Sequence, residues 1–259
     1  MESPPLTAPD PMPGFPDVVI VTGGASGIGA ETARRAAASG ARVGVFDRDA
    51  EAAQALADQL PGGPHLAVGV DTGDRAAVEA ATATVAERLG APVAVVAAAG
   101  IVSRSPLREV SEDEFARVLQ VNVLGVQHTI AAAAPHLMAA GPRGAIVALG
   151  SVAASTGGGL MGGGVYATSK AAVVGLIRGY ARELAPWGVR ANVVAPGATA
   201  TPMTAALDEQ ELARLAGMSL LGRVSTVEEI ASTICFLLTP GAGSLTGQVI
   251  QPNGGVVLT

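Results

Sequence analysis

The sequence predicts a doubly wound α/β fold, in which helices cover both faces of a parallel sheet. Six short segments are apolar throughout and rich in β-branched residues, which is typical of parallel strands buried on both sides. Ala-rich segments with helical spacing alternate with them. The 259 residues contain no long linker or break in composition, so we expect one domain with a substantial core.

The elements are expected to alternate from Asp17 onward. The apolar segments predict strands, in order, at 18–22, 42–46, 66–70, 93–97, 145–149 and 189–194. The Ala-rich segments between and after them predict helices at 28–39, 50–59, 74–89, 112–139, 165–186 and 226–238. Residues 1–16 are rich in proline and lack the basic and apolar regions of a signal peptide, so we expect a flexible leader before a domain at 17–259.

Two segments interrupt the alternation of strands and helices. The first is the Gly-rich "STGGGLMGGGV" at 155–165, and the second, at 201–223, has helical spacing but no strand before the next helix. Both follow the C-terminal ends of predicted strands, where ligands bind in open α/β sheets. We therefore expect the working end of the molecule there, with a substrate lobe around 200–223.

Composition excludes several classes of function. The net charge is −6 and no Lys/Arg cluster occurs, which speaks against a nucleic-acid partner or an anionic membrane surface. No apolar run approaches the roughly 20 residues that span a bilayer. The single cysteine, Cys235, fits a reducing cytoplasm, and the lack of a Cys/His cluster predicts no metal site.

The first strand runs into the glycine-rich turn "TGGASGIG". Gly23 follows the strand directly, while Gly27 and Gly29 fall at the start of the next helix, where backbone N–H groups and the helix dipole favour a pyrophosphate. Glycines at such a turn also occur only to relieve backbone strain. Asp47 ends the second strand, 24 residues after Gly23, where a carboxylate accepts hydrogen bonds from an adenosine ribose and repels a 2′-phosphate. The alternative for Asp47 is a solvated turn carboxylate.

"TGGASGIG" resembles the T-G-x-x-x-G-x-G motif of the short-chain dehydrogenase/reductase family. The resemblance continues, in order, through "VNVLG" (121–125), Ser151, "YATSK" (166–170), "APGATAT" (195–201) and "GQVIQPNGG" (247–255). It implies a single Rossmann-type domain with a seven-stranded parallel sheet and a nicotinamide dinucleotide, here NAD. The cofactor-binding residues that it implies are Thr22, Gly23, Ser26, Gly27, Ile28, Gly29, Asp47, Arg48, Asp71, Thr72, Ala99, Gly100, Tyr166, Lys170, Pro196, Gly197, Thr199 and Thr201.

Tyr166 and Lys170 are four residues apart, so on a helix their side chains share one face. A free tyrosine has a pKa of about 10, and we expect the ammonium and the positive nicotinamide ring to lower the pKa of Tyr166. The resemblance implies that Tyr166 is the general acid/base, Ser151 binds the substrate oxygen, and Lys170 binds the nicotinamide ribose. It also implies that Asn122 holds a water that connects the site to solvent.

The two interruptions are expected to supply the substrate wall. With Ser151 and Tyr166, the residues expected to bind substrate are Leu160, Met161, Met203, Leu207 and Met218. Ser151 and Tyr166 are 15 positions apart, longer than is usual in the family, so we expect the Gly-rich loop to be expanded.

The sequence therefore predicts an NAD-dependent enzyme that interconverts a secondary alcohol and a ketone, a small molecule. An NADPH-dependent 3-oxoacyl-thioester reductase is one alternative, against which Asp47 speaks. A non-catalytic dinucleotide-binding regulatory protein is another, but it would not need Asn122, Ser151, Tyr166 and Lys170 together. The resemblance also implies a homotetramer assembled through the helices at 112–139 and 165–186.

Overall fold

The computed structural model describes residues 12–159, 161–202, 204–205 and 207–258. The strands are β1 Val18–Thr22, β2 Arg42–Asp47, β3 Leu66–Gly69, β4 Ala94–Ala97, β5 Ala145–Leu149, β6 Arg190–Val194 and β7 Val249–Ile250. They form one parallel sheet in the order β3-β2-β1-β4-β5-β6-β7. This confirms the predicted fold class, and β7 is the strand for which the sequence offered no bounds.

The helices follow the predicted alternation. They are α1 Gly27–Ala38, α2 Ala50–Ala57, α3 Arg75–Arg88, α4 Glu112–Leu119, α5 Gly125–Ala140, α6 Ala153–Thr156, α7 Gly164–Leu184, α8 Glu209–Met218 and α9 Val227–Leu238. The chain is helical throughout the predicted 112–139, but a π-helical segment, Gln120–Leu124, lies between α4 and α5. None of the helices in the described ranges is long and apolar enough to cross a bilayer.

Two hydrophobic clusters cover the two faces of the sheet. Ile20, Val95 and Ile146 pack on one side with side chains from α3, α5 and α7. Their strand neighbours, such as Val19 and Val147, pack on the other side with α1, α2 and α9. Successive residues of a strand point to opposite faces, and burial of each large apolar side chain contributes about 1.5–3 kcal/mol. This two-sided burial is the reason that the central strands are mainly apolar.

The strand order reverses between β1 and β4. From β1 the sheet grows in one direction through β2 and β3, and from β4 it grows in the other direction through β5 and β6. The loops that leave the C-terminal ends of β1 and β4 diverge at this point, which opens a crevice for a ligand. The glycine-rich turn after β1 and the segment Ala98–Gly100 after β4 form its two sides.

Candidate active site

A cavity of ≈ 910 Å³ runs along the C-terminal ends of the strands. Six of the strands contribute a residue at or just beyond their C-terminal end, and these are Gly23, Asp47, Asp71, Ala99, Ser151 and Pro196. The cavity therefore extends along the sheet edge from β3 to β6, which suits an elongated ligand.

The glycine-rich turn allows three pieces of backbone to come close together. Gly23 has a φ of +63°, and a Cβ there would lie 2.8 Å from the backbone N and Cα of Ala99. A Cβ on Gly29 would overlap the carbonyl oxygen of Gly23. Gly27 has a φ of +52°, which favours glycine, and the nearest atom to a Cβ there is Cγ2 of Thr201 at 3.5 Å. The turn is thus closed towards the protein at Gly23 and Gly29 and open towards the cavity at Gly27.

The N-terminus of α1 faces this cavity without a side-chain cap. Helices α2, α3, α4, α8 and α9 each have an N-cap side chain that accepts a hydrogen bond from the first turn. Ser26, the N-cap of α1, makes no such bond, and Ser26, Gly27, Ile28 and Gly29 all line the cavity. Free N–H groups at a helix N-terminus form an anion site. The residues present therefore fit the phosphates of a dinucleotide.

Asp47 is fixed between this turn and the start of α2. Its Oδ2 accepts from the N–H of Ala25 at 3.0 Å, and its Oδ1 accepts from the N–H of Asp49 at 3.1 Å. The carboxylate lines the cavity and is only partly buried. A fixed carboxylate at the end of β2 fits the diol of an adenosine ribose.

The loop after β3 is tied to the helices across the cavity. Asp71 accepts from the N–H of Gly73 at 2.8 Å, and Gln120 donates to the Gly73 carbonyl at 2.5 Å. A ring nitrogen of His128 lies 3.0 Å from the carbonyl oxygen of Thr72. Asp71 and Thr72 line the cavity at this end, so α5 and the π-helical segment hold their backbone in place.

Ser151, Tyr166 and Lys170 come together at the other end of the cavity, as the sequence predicts. Tyr166 and Lys170 lie on α7, with the Lys170 Nζ 5.7 Å from the centre of the phenol ring. The Lys170 Nζ donates to the Leu149 carbonyl at 2.8 Å, and the Ser151 hydroxyl accepts from the N–H of Ala153 at 3.1 Å. A hydrogen bond joins the side chains of Ser151 and Tyr166.

Comparison with known proteins finds one matching family, similar proteins and a similar solved structure. The family described as Enoyl-(Acyl carrier protein) reductase matches residues 23–257. The short-chain reductase protein NovJ of Streptomyces niveus is 38% identical, over 92% of this chain and 93% of NovJ. A (3R)-3-hydroxyacyl-CoA dehydrogenase of Canis lupus familiaris is 34% identical, over 93% of this chain and 96% of that protein. The crystal structure of a short-chain dehydrogenase/reductase (SDR:Glucose/ribitol dehydrogenase) from Brucella melitensis superposes with a TM-score of 0.87 at 34% identity, over 93% of this chain and 97% of that one.

The chain belongs to the short-chain dehydrogenase/reductase family. Members are oxidoreductases that use nicotinamide dinucleotides, which confirms the predicted family and the coarser prediction of an enzyme acting on CH–OH groups. Within the described ranges no cluster of three or more His, Cys, Asp or Glu side chains could hold a metal ion.

In this short-chain dehydrogenase/reductase, burial dominates the ionisation of the two central side chains. It raises the pKa of the Tyr166 phenol above 10.0, and the hydrogen bond with Ser151 acts in the opposite direction. Burial also lowers the pKa of the Lys170 ammonium from 10.5 to about 8. The lowering of the Tyr166 pKa that is expected with a bound nicotinamide stays a prediction. In the protein alone burial acts in the opposite direction, and the Lys170 ammonium is bonded to Leu149 rather than to the phenol.

Asn122 lies in the π-helical segment behind Lys170 and is fully buried. Its amide donates to the Ile101 carbonyl and to the Ser169 hydroxyl, both at 2.9 Å, and its Oδ1 accepts from the N–H of Ile101 at 2.8 Å. A Cβ on Gly100 would lie 3.3 Å from that Oδ1 and 3.5 Å from the Lys170 Nζ. The side chain thus fixes the segment after β4 against α7, and the holding of a water by Asn122 stays a prediction.

The residues predicted to contact cofactor and substrate either line the cavity, lie buried beside it, or fall outside the described residues. All described ones line the cavity except Thr22, Leu207 and Asn122, which are buried beside it. Thr22 does not line the cavity itself. Its hydroxyl accepts from the N–H of Ala99, which does line it, at 3.3 Å. Leu207 is buried away from the cavity, and its N–H donates to the Thr204 carbonyl at 3.0 Å. Leu160 and Met203 lie outside the described residues.

Other lining residues were not found from the sequence. Leu215 lies one turn before Met218 on α8, so the helical spacing of the predicted lobe was a signal that could have found it. Val256 lies beyond β7 and reaches the cavity only because the chain folds back over the sheet edge. No local pattern at Val256 indicates that contact.

Proposed function

We propose that this protein is an NAD(H)-dependent oxidoreductase that interconverts a secondary alcohol and a ketone. One observation carries the proposal: Ser151, Tyr166 and Lys170 meet at one end of a cavity that presents Asp47 and the uncapped N-terminus of α1 at the other end. A cofactor that spans the cavity would bring its reactive ring beside the phenol.

The bound nicotinamide would accept hydride from the alcohol or donate it to the ketone. The Ser151 hydroxyl, oriented by the Ala153 N–H, would hold the substrate oxygen. The Tyr166 hydroxyl would accept the proton of the alcohol in oxidation and return it to the ketone oxygen in reduction. Lys170 would hold the nicotinamide ribose and favour the phenolate by its charge. Asn122 would support this pair from behind and hold the water of a proton path to solvent.

The choice of NAD over NADP rests on Asp47. Its carboxylate is held by two backbone N–H groups, so it cannot turn away from a ligand without losing both bonds. A ribose diol would donate to it, whereas a 2′-phosphate would meet a like charge. Arg48 lines the same end of the cavity and is exposed, so its charge is screened by solvent.

The wall near Ser151 favours an uncharged substrate with an apolar substituent. The described lining residues of the loop after β5, of α8 and of the C-terminal segment carry no charge, and they are Ser151, Val152, Ala153, Thr156, Gly158, Gly159, Met161, Gly162, Leu215, Met218 and Val256. Transfer of a charged substituent to such a wall would be unfavourable without a partner.

A 3-hydroxyacyl or 3-oxoacyl thioester is the second candidate substrate. It is favoured by the description of the matching family and by the hydroxyacyl-CoA relative. The chemistry at Tyr166 would be the same, because the thioester also contains a secondary alcohol or ketone. Asp47 disfavours the NADPH-dependent form of this activity.

We also propose a cytoplasmic homotetramer. The buried thiol of Cys235 is the only cysteine and fits a reducing compartment. Leu124, between α4 and α5, keeps 42% of its surface exposed, and Cβ positions at Gly175 and Gly179 on α7 would meet open space. Flat, small and apolar helix surfaces of this kind favour close packing against a second subunit.

The proposal is tested by incubating the protein with NAD⁺ and a panel of secondary alcohols, and by following NADH formation. Tyr166→Phe removes one hydroxyl and keeps the ring, so we expect NAD⁺ binding to persist while turnover falls by about 10² to 10⁴. A panel of 3-hydroxyacyl thioesters separates the second candidate from the first. A folded, cofactor-binding Tyr166→Phe protein that retained most of its turnover would refute the assignment of Tyr166.

A further inference from the structure

We infer that Gly162 is a positioning residue for Tyr166, because the absence of a side chain at 162 determines where the phenol ring lies. Gly162 precedes α7 by two residues and is buried. A Cβ on Gly162 would lie 2.5 Å from Cδ1, 2.9 Å from Cγ and 3.2 Å from Cβ of Tyr166. The backbone of Gly162 is thus in direct contact with the base of the Tyr166 side chain.

These three atoms of Tyr166 cannot move away from a methyl group at 162 by a small side-chain adjustment. They belong to the root of the side chain rather than to a flexible end, so relief requires rotation of the whole ring about χ1 or a shift of the backbone. Rotation about χ1 moves the hydroxyl furthest, since it lies at the far end of a rigid ring. A methyl group at 162 would therefore move the hydroxyl away from Ser151.

The backbone around Gly162 is held from two sides. Gly159 and Gly162 form a short antiparallel bridge, in which the Gly159 N–H donates to the Gly162 carbonyl at 2.8 Å. The Gly163 N–H donates to the Ser103 carbonyl at 2.7 Å. The segment cannot withdraw from Tyr166 without breaking these contacts, so the ring must move instead.

This arrangement also gives a reason for the long interval between Ser151 and Tyr166. The residues between Ser151 and Tyr166 include α6 and the glycine bridge, and the bridge places Gly162 against the ring just before α7 begins. The inference rests on the proposed function only in taking Tyr166 to be the acid/base. The placement of the ring itself is independent of activity.

The same bridge offers a matched control. A Cβ on Gly159 would meet no atom within 4 Å, and neither Gly159 nor Gly162 has a positive φ. Ala is therefore compatible with the backbone at both positions, and only the contact with Tyr166 differs. We expect Gly162→Ala to lower kcat by about ten-fold to 10²-fold, the range for a small misplacement of a reacting group, with an unchanged KM for NAD⁺. Gly159 also lines the cavity, so Gly159→Ala is the control for the KM for NAD⁺ and for the ring position, and the kcat of Gly162→Ala is compared with that of the wild type.

A second measurement does not depend on turnover. The chain contains only two tyrosines, Tyr166 and Tyr180, so an ultraviolet titration of the protein minus that of Tyr166→Phe gives the ionisation of Tyr166 alone. A merely structural role for Gly162 would not displace this titration. We expect its midpoint to be displaced in Gly162→Ala and to match the wild type in Gly159→Ala.

Each outcome decides the inference. If Gly162→Ala matches the wild type in both the titration and kcat, the inference is wrong. If the titration is displaced while the wild type oxidises no alcohol or thioester, the inference stands and the proposed function fails. If Gly162→Ala does not fold, it is combined with Tyr166→Ala, which removes the ring. Recovery of folding supports the contact with the ring, and no recovery refutes it.

Discussion

Replacement of Lys170 by Met should stabilise the protein at neutral pH while it abolishes turnover. The Lys170 side chain is 4% exposed, and its Nζ donates to the Leu149 carbonyl at 2.8 Å without an acidic partner among the described residues. Burial lowers its pKa from 10.5 to about 8. The folded protein therefore carries a buried, unpaired ammonium at neutral pH, which the unfolded chain keeps hydrated.

The sign and size of this effect follow from linkage. Between about pH 8 and 10.5 the unfolded chain holds a proton on Lys170 that the folded protein has lost, so the Lys170 contribution to stability rises with pH. The full difference is about 3–4 kcal/mol, at 1.36 kcal/mol per pH unit. Lys170→Met removes this penalty and also removes the bond to Leu149, which contributes about 0.5–1.5 kcal/mol. At pH 7 the variant should gain roughly 2–3 kcal/mol, which raises Tm by several degrees.

The measurement is urea unfolding of the wild type and of Lys170→Met from pH 7 to pH 10.5, at one protein concentration. Burial raises the pKa of Cys235 to about 12 and the pKa values of Tyr166 and Tyr180 above 10.0, which lowers stability as pH rises. These contributions are common to both proteins, so the difference between the two isolates Lys170. The advantage of Lys170→Met should disappear towards pH 10.5. A variant that is less stable at pH 7, or whose advantage does not change with pH, would refute the reasoning.

Two further predictions concern the cofactor and the assembly. Asp47→Asn keeps the shape of the side chain and removes its charge, so the preference for NAD over NADP in kcat/KM should shrink by about ten-fold to 10³-fold, as expected for loss of a repulsion of about 1–4 kcal/mol. An unchanged preference would contradict the role of Asp47. Sedimentation of the wild type at micromolar concentration should give four times the 25.5 kDa of one chain, and a monomer alone would exclude the proposed tetramer.

The fold could be predicted because its signals are local. β1, β4 and β5 are short runs of apolar residues buried on both faces, and a run of that length and composition, bounded by turn residues, is typical of a central parallel strand. β3 is partly exposed, and β6 buries Arg190 and Asn192 among its apolar residues. β7 has two half-buried residues at the sheet edge, too few for any periodicity. The π-helical segment at Gln120–Leu124 was missed because its cause is not local. Asn122 bonds to Ile101, 21 residues earlier, and no Pro or Gly within the segment marks the change of helix type.

The site residues also divide into those that a local sequence pattern predicts and those whose position depends on the whole fold. Gly23, Gly27 and Asp47 were predicted because the turn after β1 and the end of β2 are short, continuous motifs. Val256 was missed because its contact depends on the path of the chain after β7. The burial that raises the Tyr166 pKa in the protein alone could not be predicted for a related reason, since burial is a property of the whole fold and not of the Tyr-x-x-x-Lys spacing.

The same burial explains why the catalytic pair needs more than its own two side chains. Burial raises the pKa of Tyr166 and lowers that of Lys170, so the protein alone disfavours both the phenolate and the ammonium. The chain provides only partial compensation, through the Ser151 hydroxyl and the Leu149 carbonyl. Any ligand that favours the phenolate must therefore bind more tightly to the ionised form, since the coupling between proton release and ligand binding is reciprocal. Burial thus keeps the phenol protonated in the free protein at neutral pH, and a ligand that favours the phenolate would couple the ionisation of Tyr166 to its own binding.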